Sequence, residues 1–135
     1  MKKLTLLVLG IFVLAACASA PTVNLSGEWT LESYGDASSP TPALPDVDTS
    51  LTFADGQLNG NVGCNGFGGG YESKGNTLTF GPLFSTLMYC EETDGQEQGV
   101  LSVFVEGETL TVTLDGDRMT IASADGASVV VLVRK

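Results

Sequence analysis

The glycine-rich stretch at residues 60–71, G-N-V-G-C-N-G-F-G-G-G-Y, limits the possible folds of this chain more than any other segment. Nine of the 17 glycines lie between Gly56 and Gly81. At that density inside a folded domain, glycine supplies positive φ angles, tight bends and room for close approach of another strand or side chain. The stretch contains Cys64, and one further internal cysteine follows at Cys90, so we expect a bend that a disulfide holds.

The N-terminus has the features of a bacterial lipoprotein signal peptide. Two lysines precede an apolar run at residues 4–14, and small residues lead to a cysteine in the sequence L-A-A-C at residues 14–17. This run is too short for a membrane-spanning helix, which needs about 20 residues. We therefore predict cleavage before Cys17, which would carry lipid as the mature N-terminus. An uncleaved helix, membrane-spanning or buried, is the alternative.

This interpretation divides the chain into three parts. A lipoprotein signal peptide covers residues 1–16, a tether covers residues 17–26, and one folded domain covers residues 27–135. The length left after cleavage is typical of a single domain. A proline-rich segment within residues 36–50 predicts an extended loop.

The acidic charge of the chain limits its partners. The formal net charge is −10, and loss of Lys2 and Lys3 with the signal peptide would make it −12. Nucleic-acid binding needs clusters of Lys and Arg for the phosphates, so we expect no nucleic-acid partner. The same charge disfavours docking on anionic lipid, so attachment to a membrane would depend on the lipid on Cys17.

The lipid anchor also predicts a location. A lipobox is typical of proteins of the bacterial cell envelope, and the compartment outside the cytoplasm is oxidising. Ala18 follows Cys17 in place of the aspartate that is usually associated with inner-membrane retention. We therefore predict a lipid-anchored envelope protein, in the outer membrane if the cell has two membranes.

Apolar and polar residues alternate with a period of two through most of the domain, and short polar turns interrupt the alternation. The predicted strands are residues 27–34, 51–53, 57–62, 69–73, 77–80, 110–114, 119–122 and 128–133. Asp55 and Gly56 predict a hairpin turn. The predicted fold class is α+β, mainly β: a strongly curved antiparallel sheet or open barrel of about eight strands with one packed helix. The large aromatic side chains expected in the core include Trp29, Phe53, Phe67, Phe80, Phe84 and Phe104.

The predicted helix covers residues 94–106, although two of its valines also suit a strand. Asp94 and Glu97 have the spacing of a capping box, and their charges favour a helix N-terminus. Gly107 would end the helix. Gly99 would weaken it by about 1 kcal/mol.

Several motifs, in this order, resemble the META domain family, the family of the HslJ-like heat-shock lipoproteins. G-E-W-T-L at residues 27–31 resembles the opening strand of the family, and G-N-V-G-C-N at residues 60–65 resembles its G-x-x-G-C-N signature. S-T-L-M-Y-C at residues 85–90 resembles its S-T-x-M-x-C segment, and residues 119–134 resemble its closing hairpin. The residues that we assign to the structural signature are Gly63, Asn65, Gly70, Tyr71, Thr86 and Met88.

The resemblance implies a surface or secreted protein and links the family to stress response and drug tolerance in bacteria. It also implies a fold similar to that of the pilot lipoproteins of secretion systems, which hold lipid in an open barrel. The biochemical activity of the family is poorly defined, and a fold by itself does not imply one.

The residue types present argue against catalysis and against a metal site. The chain has no histidine, which removes the usual Ser-His-Asp and Cys-His nucleophiles and most zinc ligand sets. The acids lie mostly in predicted turns, and their spacing matches neither a catalytic pair nor a calcium-binding loop. We therefore expect that the protein is not an enzyme and has no catalytic residues, no metal and no cofactor.

Three residues of the two signature segments have more than one interpretation. An even number of internal cysteines, once Cys17 is set aside, favours a disulfide between Cys64 and Cys90. Two free buried thiols and a redox-active pair are the alternatives. Asn65 is either a turn residue, with a left-handed backbone or a side-chain-to-backbone hydrogen bond, or a polar group at the mouth of a pocket.

The predicted function is that of a non-catalytic, lipid-anchored cell-envelope lipoprotein that acts by binding in stress tolerance or envelope maintenance. A carrier of lipid or a small apolar ligand in an open barrel is one alternative, and it requires an apolar cavity bounded by aromatic side chains. A protein-inhibitor or secretion-pilot interaction module is the other, and it requires an exposed apolar patch or strand edge. The predicted partners are the membrane, through the lipid on Cys17, and a lipid or an envelope protein. No oligomeric state is predicted.

Overall fold

The computed structural model describes residue 17 and residues 20–135, and the predicted signal peptide at residues 1–16 lies outside them. The elements in the described range are β1 (Gly27–Asp36), β2 (Thr41–Pro42), β3 (Ser50–Ala54), β4 (Gln57–Asn61), β5 (Gly66–Lys74), β6 (Thr77–Ser85), α1 (Asp94–Leu101), β7 (Thr109–Asp115), β8 (Arg118–Ala122) and β9 (Ser128–Arg134). The described residues include no helix with the length and apolar character that a membrane crossing demands.

Eight of the strands in the described range form a closed antiparallel barrel. They pair in the order β1-β3-β4-β5-β6-β7-β8-β9, and β9 returns to pair with β1, with Leu132 opposite Leu31. The two-residue β2 pairs with the far end of β1. The predicted fold class is confirmed, and the barrel closes because β1 pairs with β3 near its start and with β9 along most of its length.

The hairpin between β3 and β4 follows the predicted turn chemistry. Asp55 and Gly56 both have positive φ, at 51° and 73°. A tight two-residue turn of the type that matches the twist of the flanking strands requires this conformation at both central positions. The turn sets the register in which Phe53 lies opposite Leu58, and both side chains are buried.

Apolar side chains fill the barrel interior. The largest fully buried ones come from every barrel strand except β5: Trp29, Leu51, Phe53, Leu58, Leu78, Phe80, Leu110, Met119, Ile121 and Leu132. An eight-stranded barrel is narrow enough for its own side chains to occupy the lumen. The predicted core aromatics are therefore in place with one exception, Phe84, which is exposed. The interior is a packed core, and the cavity that a carrier requires is occupied by these side chains.

The glycines of β5 allow close approach between strands. A Cβ on Gly68 would lie 2.5 Å from the carbonyl oxygen of Leu58, and a Cβ on Gly69 would meet the carbonyl oxygen of Pro82. The register of β5 against β6 shifts between Gly69 and Tyr71. Irregularities of this kind bend a strand and increase its twist. The glycine-rich stretch thus lets the sheet curl into a barrel.

The predicted helix over residues 94–106 is wrong in its second half, because α1 ends at Leu101. After Leu101, tertiary contacts determine the path of the chain. The side chain of Phe104 enters the core, and the N–H of Gly107 donates to the carbonyl of Phe80 at 2.9 Å. Gly99, which weakens the helix, has a packing role. A Cβ there would overlap the ring of Tyr34 on β1.

The residues before β1 lie against the barrel. The N–H of Val23 donates to the carbonyl of Gly75 at 2.8 Å, and Leu25 is buried. The division between tether and domain at residue 27 stays a prediction. Packing against the core nevertheless begins within the last residues of the predicted tether.

Candidate functional site

Large exposed apolar side chains lie together at residues 84–89, which we call the apolar loop. The exposed fraction is 65% for Phe84, 96% for Leu87, 60% for Met88 and 76% for Tyr89. Single exposed apolar residues are ordinary, but a contiguous group of this size is typical of a binding surface. The loop follows from the end of β6 and leads to Cys90 and the start of α1.

Asn65 holds the backbone of the apolar loop. Its side-chain oxygen accepts hydrogen bonds from the N–H of Met88 and the hydroxyl of Thr86, each at 2.8 Å. Its side-chain nitrogen donates to the carbonyl of Met88 and to Glu97 Oε2, also at 2.8 Å. An asparagine amide has two acceptor and two donor positions, and all four are used here. A backbone N–H can only donate, which determines the orientation of the amide.

Glu97 completes this arrangement from α1. Its Oε1 accepts from the N–H of Asn65 at 2.7 Å and from the N–H of Cys64. Burial raises the pKa of Glu97, but the hydrogen bonds from the side chain of Asn65 and from the two backbone N–H groups outweigh it and lower the pKa below its ordinary value. The buried carboxylate is therefore charged at neutral pH. We call this pair and its hydrogen bonds the Asn65–Glu97 clamp.

The predicted capping box is wrong. The N-cap of α1 is Thr93, and its side chain makes no capping hydrogen bond. Glu97 does not reach back to the helix N-terminus, because its carboxylate is engaged by a segment more than 30 residues earlier in the chain. Spacing alone does not distinguish these two uses of an acid in the first turn.

A disulfide joins the same two segments. Cys64 and Cys90 are bonded, with their Cα atoms 6.0 Å apart, and the predicted disulfide is confirmed. Gly63 allows this segment to approach α1, since a Cβ there would lie 2.7 Å from Thr93 Cβ and 2.8 Å from Glu97 Oε1. The bond and the clamp together hold the apolar loop at its middle and at its end.

The structure brings some of the predicted signature residues together and separates others. Those at the clamp are Gly63, Cys64, Asn65, Thr86, Met88 and Cys90. Gly70 and Tyr71 lie elsewhere, on β5, where they help to line an open cleft of about 400 Å³. Cys17 is exposed with a free thiol, and its lipidation stays a prediction.

Asn65 makes side-chain-to-backbone hydrogen bonds, as one interpretation predicted, but its backbone partner lies far away in the sequence. Its partner Met88 is 23 residues away. The left-handed alternative is wrong, because among the described non-glycine residues only Asp55 has a positive φ. The polar atoms of Asn65 face the clamp, so they are not the recognition groups of an open pocket.

Two residues of α1 were not predicted as part of the site. Glu97 was assigned to a helix cap, and Gln96 was not singled out. The buried side chain of Gln96 donates to the carbonyl of Val62 at 2.6 Å and accepts from the N–H of Leu44 at 2.8 Å. The only signal in the sequence was that Gln96 and Glu97 are two adjacent polar residues within a predicted helix that also had to bury an apolar face.

The polar groups of the site are occupied within the protein. In the part of the chain that the structure describes, no buried side-chain nitrogen or oxygen lacks a hydrogen-bond partner. No group of three or more His, Cys, Asp or Glu among those residues is placed to hold a metal ion. What the site exposes is the apolar surface of a loop whose backbone is held in place.

Comparison with known proteins agrees with this architecture. A sequence model of the META domain family matches residues 22–135. No curated protein matches the chain. An NMR structure of a protein from Burkholderia xenovorans is similar, with a TM-score of 0.66 and 22% identity, and the match covers 82% of each chain. A crystal structure of a DUF4847 family protein from Bacteroides vulgatus has a TM-score of 0.57 and 14% identity, over 82% of this chain and 93% of that one.

Likeness to solved structures at these identities concerns the fold alone. The family match has wider meaning, because it covers most of the chain and includes both signature segments. It also confirms the resemblance that the motifs indicated. The chain therefore belongs to the META domain family.

Proposed function

We propose that this protein is a non-catalytic, lipid-anchored lipoprotein of the bacterial cell envelope that acts by binding another protein through the apolar loop. The observation that carries the proposal is the combination of four exposed apolar side chains with a backbone held by the clamp and the disulfide. A loop that is ordered before it meets its partner loses less conformational entropy on binding.

The filled barrel supports a surface site over a carrier function. The lumen contains Trp29, Phe53 and Phe80, which are at most 1% exposed. A lipid chain could enter only by displacing these side chains, and opening the core by the volume of even one of them is costly. An exposed apolar patch is the feature that we expect of an interaction module.

Thr22 and Val23, in the segment between the proposed anchor and β1, lie at the opposite end of β6 from the apolar loop. Thr22 and Val23 contact the turn at Gly75, just before the strand begins, and the loop begins at the end of the same strand. Eight residue steps of β-strand span about 26 Å. A domain tethered through Cys17 would therefore hold its apolar loop away from the anchoring membrane.

The proposed link to stress tolerance or envelope maintenance rests on family membership.

Two measurements test the proposal. Cys17→Ser is expected to move the protein from the membrane fraction to the soluble fraction, and retention in the membrane would refute the anchor.

For the binding site, a photo-reactive amino acid replaces Leu87 in cells, with Thr113, an exposed residue of β7, as the matched control position. We expect a cross-link to another protein at position 87 only. Equal yields at both positions would refute the loop as the binding site.

A further inference from the structure

One edge of β6 is free beside the apolar loop. The strand pairs with β7 only at Thr77–Thr79 and bridges to Glu106 at Phe80, whereas it pairs with β5 as far as Ser85. Over residues 81–85 it thus has β5 on one side and no other strand of the described chain on the other.

The free edge has hydrogen-bonding groups to offer. Backbone groups alternate sides along a strand. The N–H of Thr86 points to β5, where it donates to the carbonyl of Gly66 at 3.0 Å. Ser85 and Leu83, one and three residues earlier, therefore direct their N–H and C=O groups away from β5. Strand addition on this edge would therefore use the backbone groups of Leu83 and Ser85.

Apart from Pro82 and the irregular pairing beside it, this free edge lacks the usual protection. Proteins block exposed edges with charged side chains, lysine above all, or cover them with another element. Residues 81–89 contain no charged side chain, and Phe84 stands exposed in the middle of the free segment. An edge of this composition is suited to pairing with a strand from another chain.

The charged residues that follow this edge in the sequence, as far as Asp117, are all acidic. Glu91 and Glu92 follow the apolar loop directly and are exposed. No Lys or Arg occurs between Lys74 and Arg118, whereas this interval contains eight acids. A partner that covers the apolar loop therefore approaches Glu91 and Glu92, and a basic partner is favoured.

We propose that an extended segment of a partner protein, with alternating apolar and basic residues, adds a strand to β6 at Leu83–Ser85 and covers the apolar loop. This inference rests on the proposed function and narrows the chemistry of its partner. Backbone hydrogen bonds would supply affinity, the apolar side chains would cover Phe84 and Leu87, and the basic ones would lie near the two glutamates.

Other occupants fit these observations less well. A second copy of the chain would bring its own Glu91 and Glu92 against the same acidic surface, and like charges at close range are repulsive. An anionic membrane meets the same repulsion. The segment that leads from Cys17 into the domain also contacts the Gly75 turn, at the other end of β6 from this edge.

The test is an NMR titration of the lipid-free domain, residues 20–135, with defined peptides. One decapeptide alternates Val and Lys, a second alternates Val and Glu, and a third is the Val/Lys peptide with N-methyl groups on alternate residues. We expect the first to shift amide signals of residues 83–92, and the other two to bind at least about fivefold more weakly. The double variant Glu91→Lys/Glu92→Lys, altered only at exposed positions, should reverse the charge preference.

Four results would overturn the inference. They are equal binding of the Val/Lys and Val/Glu peptides, no loss on N-methylation, shifts centred outside residues 83–92, and no binding by any of the peptides. Dimerisation in sedimentation that depends on the apolar loop would identify a second copy of the chain as the occupant of the edge. Binding to phosphatidylcholine vesicles that depends on the loop would identify a membrane as the occupant. If the peptides fail while the cross-link at Leu87 persists, the partner class is wrong and the proposed function stands. If both fail, the proposed function fails as well.

Discussion

The barrel interior and the apolar loop use the same kinds of side chains in opposite ways. Phe80 is 1% exposed and packs against Phe104, with ring centroids 4.9 Å apart. Phe84, four residues later on the same strand, is 65% exposed. Packing holds the first region, whereas hydrogen bonds to the backbone and a disulfide hold the second.

The comparison shows that order and burial are separate properties in this molecule. Apolar side chains stabilise a fold when they leave water, so the exposed members of the apolar loop contribute little to stability. Their backbone is nevertheless held by Asn65, Glu97 and the disulfide. Buried polar groups hold this loop in place, and its apolar side chains stay exposed to solvent. A region built in this way is suited to binding.

The largest expected difference between the two regions is in the response to truncation. Phe80→Ala should lower the free energy of unfolding by about 3–5 kcal/mol, because it removes a ring from a close-packed core and leaves a cavity. Phe84→Ala, its matched control on the same strand, should lower it by less than about 1 kcal/mol. Denaturant unfolding measures both values. Similar losses for the two variants would show that the apolar loop is part of the core.

Removal of the disulfide should have an intermediate effect. Cys64→Ser combined with Cys90→Ser should cost about 3 kcal/mol, because the bond closes a loop with a sequence separation of 26 and restricts the unfolded chain. Cys17→Ser is the control, and we expect no change in the free energy of unfolding. Intact mass before and after reduction checks the bond itself, and an unchanged mass would contradict it.

The clamp should contribute less than the disulfide, with an effect concentrated in the apolar loop. Glu97→Gln places an amide nitrogen among groups that donate, so one hydrogen bond is lost and a donor stays unpaired, at a cost of about 1–3 kcal/mol. Hydrogen exchange at the N–H of Met88 should accelerate more than exchange in the barrel strands. Glu92→Gln, at an exposed position, is the control. If hydrogen exchange at the N–H of Met88 is unchanged in Glu97→Gln, the clamp does not hold the apolar loop in place.

The pH dependence of stability gives a second readout of the clamp. The pKa of Glu97 is lowered in the folded protein, so its stabilisation is complete above the ordinary value of 4.5 and is lost as pH falls through the lower, folded value. The pKa values of Glu28, Asp36 and Asp125 are lowered as well. The difference between wild type and Glu97→Gln isolates the one carboxylate, and it should shrink on acidification below about pH 4.5. A difference that is independent of pH would contradict the assignment.

Local patterns in the sequence predicted the elements well where neighbours in sequence decide the conformation. Alternation indicated the strands, and Asp55 with Gly56 indicated a hairpin turn that the structure confirms. The prediction for α1 was too long because its end depends on distant partners. Phe104 enters the core, and Gly107 bonds to Phe80 more than 20 residues earlier.

The candidate site could be predicted only in part for the same reason. The motifs that contain Cys64, Asn65 and Met88 were identifiable from their order. The use of Glu97 to hold Asn65 was not, because a capping box and a long-range clamp have the same residue types at the same spacing. The exposure of Phe84 was also missed, because a large apolar side chain such as phenylalanine is more often buried.

By itself, the sequence determined a mainly β domain, the positions of its turns, its META domain family and the two cysteines of its disulfide. These properties depend on residue type, period and the order of motifs along the chain. The closure of the barrel by β1 and β9, the filling of its lumen, the Asn65–Glu97 clamp and the exposure of the apolar loop were decided by tertiary structure. Each of them depends on contacts between residues far apart in the chain, and a periodic pattern specifies which face a side chain occupies but not what packs against it.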